Sequence, residues 1–167
     1  MIRHLAFVFL ALSLFLTTAC REHMAYGYSL SLYHTRSQQS FESTKAAFHS
    51  WLLAQGLTLS PSPGGMAEWS GGHSPDDQST WYALSVGRNN LLLRVSASPQ
   101  GRDIRASTHY DGAFTAAELA EMRRRNHRLW LEIIEWFETH APDNTAANDA
   151  KKWLSDAKTK INDAYSK

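Results

Sequence analysis

The chain holds one cysteine, Cys20, and eight histidines. That inventory restricts the chemistry at once. Beyond residue 20 there is no thiol, so thiolate catalysis and cysteine–zinc sites are excluded there. No Gly-x-Ser-x-Gly elbow, no phosphate-cradling Gly-x-x-x-x-Gly-Lys and no His-Glu-x-x-His zinc helix occurs. The segment His73-Ser74-Pro75-Asp76-Asp77 sets an imidazole beside two carboxylates. It could hold a divalent cation weakly, or be a solvated turn, because Pro and Asp favour turns for local backbone reasons. Ser74, His109 and Asp111 offer the residue types of a nucleophile–base–acid set, but nothing in their spacing joins them. The expectation is a chain without a catalytic centre, metal or cofactor.

Binding chemistry is better represented. Trp69, Trp81, Arg94, Arg105 and His109 form a candidate partner-binding set. Trp81 has the opposite parity to Tyr82 and Leu84, so it falls on the other face of any strand there. It is either exposed, as aromatic anchors often are, or covered by the loop from Gly64 to Asp77. The run Arg123-Arg124-Arg125, with Arg128, could meet phosphate headgroups or an acidic partner. On a helix, Glu121, Glu132 and Glu135 lie close enough to make it a solvated ion-paired face instead.

The elements that must position these residues follow from periodicity. Tyr26 to Leu32 alternates apolar and small polar residues, the pattern of a half-buried strand. Ser40 caps a helix whose apolar stripe is Phe41, Phe48, Trp51 and Leu52, and Gly56 stops it. Short strands are expected at 57–59 and 66–70, separated by the turn-forming Ser60-Pro-Ser-Pro-Gly-Gly65. Three alternating stretches follow, at Thr80–Val86, Leu91–Ala97 and Ile104–Tyr110, with tight turns between them. They read as an antiparallel meander. Thr115 and Glu118 form a capping box for a helix carrying Leu119, Met122, Leu129, Trp130, Ile133, Trp136 and Phe137. A last helix starts at Asn144 or Thr145, with Trp153, Leu154, Ile161 and Tyr165 on its stripe. Strands kept apart from helices indicate an α+β fold. The expected architecture is an antiparallel sheet of four to five strands, helices on one face, in the order β-α-β-β-β-β-α-α. Ser29, Ser31, Arg94, Ser96, Arg105 and Ser107 should populate the opposite, open face.

The first twenty residues decide where such a domain works. Arg3 supplies a positive start, and Leu5 to Leu16 is an apolar run broken only by Ser13. Small residues Thr17, Thr18 and Ala19 then precede Cys20. Those are the three regions of a secretory signal. The run is shorter than the roughly 20 residues that cross a bilayer.

Leu16-Thr17-Thr18-Ala19-Cys20 resembles the lipobox of bacterial lipoproteins. The resemblance covers only the signal. It implies cleavage before Cys20, diacylation of the thiol and acylation of the new amino end. Thr17 departs from the pattern: the family usually has Leu three residues before the cysteine, and Leu16 lies one place further out. Ordinary cleavage, giving a soluble periplasmic protein, is the alternative. In an oxidising compartment a lone thiol would have no internal partner, which favours acylation. In this family Asp after the cysteine retains the protein in the inner membrane. Arg21 stands there, which implies the inner leaflet of the outer membrane.

The expected organisation is thus a cleaved signal at 1–19, a lipidated cysteine and tether at 20–25, and one domain at 26–167. One of the 17 Lys and Arg residues, Arg3, belongs to the signal, so 16 remain against 16 Asp and Glu. A formally neutral body creates no field that would draw it to nucleic acid. The functional expectation is an envelope lipoprotein that binds a protein partner without catalysis. Two forms are an immunity protein against a periplasm-targeted toxin and an accessory subunit of an envelope machine. The alternatives are a hydrolase using His34, His73 or His109, and a carrier of a small apolar ligand. Cys20→Ser should move the protein from the membrane to the soluble fraction on fractionation of expressing cells. Unchanged membrane association would rule out the lipid anchor.

Overall fold

Leu91-Leu92-Leu93 requires apolar surroundings on two sides at once, since consecutive strand residues point to opposite faces. A computed structural model describes residues 26–61, 78–112 and 114–141, with Asn144, 155–156 and 158–159. Five strands form one sheet: β1 (Tyr26–His34), β2 (Thr58–Ser60), β3 (Gln78–Val86), β4 (Asn89–Ser98) and β5 (Asp103–Asp111). Their order across the sheet is β1-β5-β4-β3-β2, which puts the leucine triplet on the central strand. All neighbours are antiparallel. Two helices, α1 (Gln38–Ala54) and α2 (Ala116–His140), give the sequence β-α-β-β-β-β-α. The fold is α+β, as the segregation of strands and helices indicated. The strand expected at 66–70 lies outside the described residues. So does the last helix, except at 155–156 and 158–159, where the backbone is helical.

Both helices pack on one face of the sheet. Phe41, Phe48 and Leu52 of α1 and Met122, Leu129, Trp130, Ile133 and Phe137 of α2 share one core with the sheet. The sheet contributes Leu30, Leu32, Tyr82, Leu91, Leu93, Val95, Ile104 and Ala106. Each such side chain taken out of water contributes about 1.5–3 kcal/mol before conformational entropy is set against it. The helices meet through aromatic rings. Phe48 lies 4.7 Å from Phe137 and 5.1 Å from Trp136, centroid to centroid, and Trp51 lies 5.9 Å from Trp136.

Two local features differ from the periodic reading. The register of β1 on β5 shifts between Ser31 and Tyr33. Such a bulge breaks the alternation, and Leu32 and Tyr33 are both buried as a result. Ser37, not Ser40, caps α1: its Oγ accepts from the Ser40 N–H at 3.2 Å. Thr35 Oγ1 accepts from the Ser37 N–H at 3.2 Å, which turns the chain into the helix early. The other boundaries follow their signals. Gly56, at φ +84°, ends α1 in a Schellman arrangement. In it the Gly56 N–H bonds Leu53 O at 3.0 Å and the Leu57 N–H bonds Leu52 O at 3.3 Å. The Thr115–Glu118 capping box is complete at the start of α2. Its glutamate also pairs with Arg88 of the β3–β4 turn at 3.0 Å, tying the helix start to the sheet.

Gly87 and Gly112 both have positive φ, at 63° and 136°. A Cβ on Gly87 would meet open space, whereas one on Gly112 would collide with the side chain of buried Asn89. Gly87→Asn should therefore leave stability nearly unchanged, since Asn tolerates the left-handed region. Gly112→Ala should cost about 1–3 kcal/mol in chemical denaturation. Equal effects at the two sites would refute this assignment.

Candidate functional site

The face of the sheet turned away from the helices carries four of the five candidate binding residues. Register explains why. Trp81 of β3 pairs with Arg94 of β4, which pairs with Ser107 of β5. Two residues either way, Leu92 pairs with His109 and Ser96 with Arg105. All of these share parity, so they share a face. Trp69, the fifth residue, lies outside the described residues, with His73, Ser74, Asp76, Asp77 and Cys20.

The contacts form a connected group. The Arg94 guanidinium lies over the Trp81 ring at 5.8 Å, within the range of cation–π attraction. The Trp81 and His109 rings are 5.4 Å apart and tilted. Arg94 donates to Ser79 Oγ from Nε at 3.2 Å and from Nη2 at 3.0 Å. The Ser79 and Ser96 hydroxyls are 3.1 Å apart, and Ser107 Oγ lies 3.1 Å from His109 Nε2. Arg105 pairs with Asp103 at 2.7 Å.

The centre of this face is not open. Trp81 is 7% exposed, Leu92 3% and His109 9%. Burial is at odds with the exposed-anchor reading of Trp81. The loop from 64 to 77, which the covered reading invokes, lies outside the described residues. Leu92 is the residue that periodicity passed over. It sits in a leucine run, where its neighbours account for the helix-side core, and its own burial signals a second apolar patch. Arg105 remains exposed and Arg94 is half-buried, so the charged rim of the face is accessible.

Other candidates are dispersed. His34 is exposed at one end of β1, where it pairs with Asp103, while His109 pairs with Tyr26 at the other end. The His34 N–H donates to Asn144 Oδ1 at 3.3 Å. Asp111 is exposed at the end of β5. In the arginine run, Glu121 accepts from Arg124 at 2.6 Å and lies 3.2 Å from Arg125. These pairs hold the Glu121 carboxyl below the usual carboxylate range. That arrangement is the solvated ion-paired face. Among the described residues no group of three His, Cys, Asp or Glu side chains is placed to hold a metal ion. No helix among them is long and apolar enough to cross a membrane. The chain matches no known family model, and no curated protein or solved structure is significantly similar to it.

Burial, and secondarily the Arg94 charge, lower the His109 pKa from its ordinary value near 6.5. The imidazolium is therefore disfavoured in the folded state. Below about pH 6.5 the unfolded chain takes up a proton that the folded chain refuses, so stability falls as pH drops toward the lowered folded value. His109→Gln removes this loss. Its stability relative to wild type should improve steadily from pH 7.5 to pH 5, measured by urea denaturation. A pH-independent difference would count against the assignment.

Proposed function

We propose that this chain is a membrane-anchored lipoprotein of the bacterial cell envelope that binds a protein partner without catalysis. The partner meets the sheet face that carries Arg94 and Arg105. The observation that supports this is the assembly of Trp81, Arg94, Arg105 and His109, from three strands, on one side of the sheet. Trp81, Leu92 and His109 are already buried, so the groups a partner can reach are the guanidiniums at their margin, and Arg is among the residues that dominate binding energy at interfaces. The exposed cations suit an acidic surface. An immunity protein facing a periplasm-targeted toxin and an accessory subunit of an envelope machine both fit this description. The lipid on Cys20 and the tether 21–25, at most about 18 Å when extended, would keep the encounter close to the membrane on the periplasmic side.

A hydrolase reading has one observation in its favour, the 3.1 Å contact between Ser107 and His109. A general base must become an imidazolium during the reaction. At His109 burial and Arg94 both oppose that charge. The same environment suits a structural imidazole, so binding is the better account.

The test uses crosslinked envelope extract, followed by titration with the recovered partner after purification. Arg94→Glu with Arg105→Glu should weaken affinity at least tenfold and reduce its salt dependence. Arg123→Glu, on the helical side, should change little. Charge reversal at the sheet face without loss of affinity would overturn the reading.

A further inference from the structure

A cleft of about 220 Å³ opens on the helical side of the molecule, between α1 and strands β3, β4 and β5. It is separate from the Arg94 face. Phe48, Val95, Ala97 and Ile104 line its interior, and all four belong to the hydrophobic core. Lys45, His49, Gln78 and Tyr82 bring polar groups to the same space. An apolar cavity of about 150 Å³ suffices to hold benzene, whereas drug-sized ligands occupy about 300 Å³ or more. The cleft therefore has room for a small ring or a short aliphatic chain and for little else.

The polar groups define the other end of such a ligand. Lys45 Nζ contacts Glu42 at 2.9 Å and donates to Gln78 Oε1 at 3.4 Å. An ammonium has three N–H donors, so one more bond can be made. Its position bridges α1 to β3 across the cleft. Behind it, the Tyr82 hydroxyl lies 2.6 Å from His49 Nδ1. Burial pushes the Tyr82 pKa up to about 12, so the phenol keeps its proton at any physiological pH. In the tautomer where the Tyr82 hydroxyl donates to His49 Nδ1, the imidazole Nε2–H is left as a second donor. The polar end thus presents a cation and, in that tautomer, an N–H donor, and the Glu42 carboxylate is already held by Lys45.

We propose that this cleft binds a small monocarboxylate, with the apolar body against Phe48, Val95, Ala97 and Ile104 and the carboxylate on Lys45 and His49. The ligand is a short aliphatic or aryl acid, and its neutral analogue fits the space but not the donors.

Hexanoate and benzoate are the probes, titrated into the purified full chain and followed by amide and side-chain chemical shifts. Saturable one-to-one binding is expected, with the largest shifts at His49, Tyr82 and Ala97. Hexanol and benzyl alcohol should bind about tenfold more weakly, the usual scale of one charge-assisted hydrogen bond. Lys45→Met, which keeps most of the apolar stem, should weaken hexanoate by about the same factor and leave hexanol unchanged. Ala46 is exposed on α1 and lines the cleft, so Ala46→Trp should block the space without touching the core. It should abolish binding at unchanged thermal stability. Absence of saturable binding would overturn the proposal. Equal affinity for acid and alcohol, or binding that survives Ala46→Trp, would overturn it as well.

Discussion

The architecture depends on burying β4 from both sides. An edge strand leaves a row of unpaired backbone groups, and a strand with one wet face cannot accept Leu91, Leu92 and Leu93 in succession. Only the middle of the sheet serves, with β3 and β5 as partners. From that placement the two faces acquire different roles. Leu91, Leu93 and Val95 join the helices in the main core, while Leu92 is buried on the other side, beside His109 of β5. The residues that look functional lie where they do because their strands pair with β4.

The helices are fixed at different points along the same face. The C-terminal half of α1 is locked to α2 by the rings of Phe48, Trp51, Trp136 and Phe137. Its N-terminus is fixed by the Thr35–Ser37 turn, and Thr35 is itself held by Arg102: the Thr35 N–H donates to Arg102 O and Arg102 Nε donates to Thr35 O, both at 3.1 Å. Between these two anchors, small side chains at Ala46 and Ala97 leave the cleft unfilled. Aromatic packing at one end and a polar turn at the other hold the helix without requiring the space between to close.

Much of this was legible where one local rule decides a position. Alternation placed β3, β4 and β5, because each strand has a buried helix-side face. Thr115 with Glu118 and Gly56 marked helix ends, because those residues satisfy terminal backbone groups that water would otherwise serve. What escaped depends on partners distant in sequence. The β1 bulge exists only in register with β5, and it brings Tyr33 inward against Phe137, 6.2 Å away. The choice of Ser37 over Ser40 follows from Thr35, which Arg102 holds in place. The burial of Trp81 could not be read from its own strand, because Thr80 to Val86 alternates equally well with either face wet. Leu92 carried the missing information, and a triplet of leucines on a central strand is the signal that would have recovered it.

The proposed binding reading and the hydrolase reading draw on the same residues of the second face. A serine hydroxyl beside an imidazole suggests a nucleophile and its base. Catalysis would require a carboxylate or an open solvent path to stabilise the imidazolium as it forms. The surroundings oppose that charge instead: Leu92 and Trp81 desolvate the ring, and Arg94 adds a positive charge nearby. Of the two carboxylates on the same strand, Asp103 is engaged by Arg105 and Asp111 is exposed to solvent at the strand end. Desolvation and the arginine are costs for a base but assets for an interface. A dry aromatic centre excludes water, and a guanidinium at its margin adds orientation and charge selectivity. A partner with a carboxylate opposite Arg94 would raise the His109 pKa as it bound. Such a complex should tighten as pH falls, the reverse of the trend expected for stability of the isolated domain.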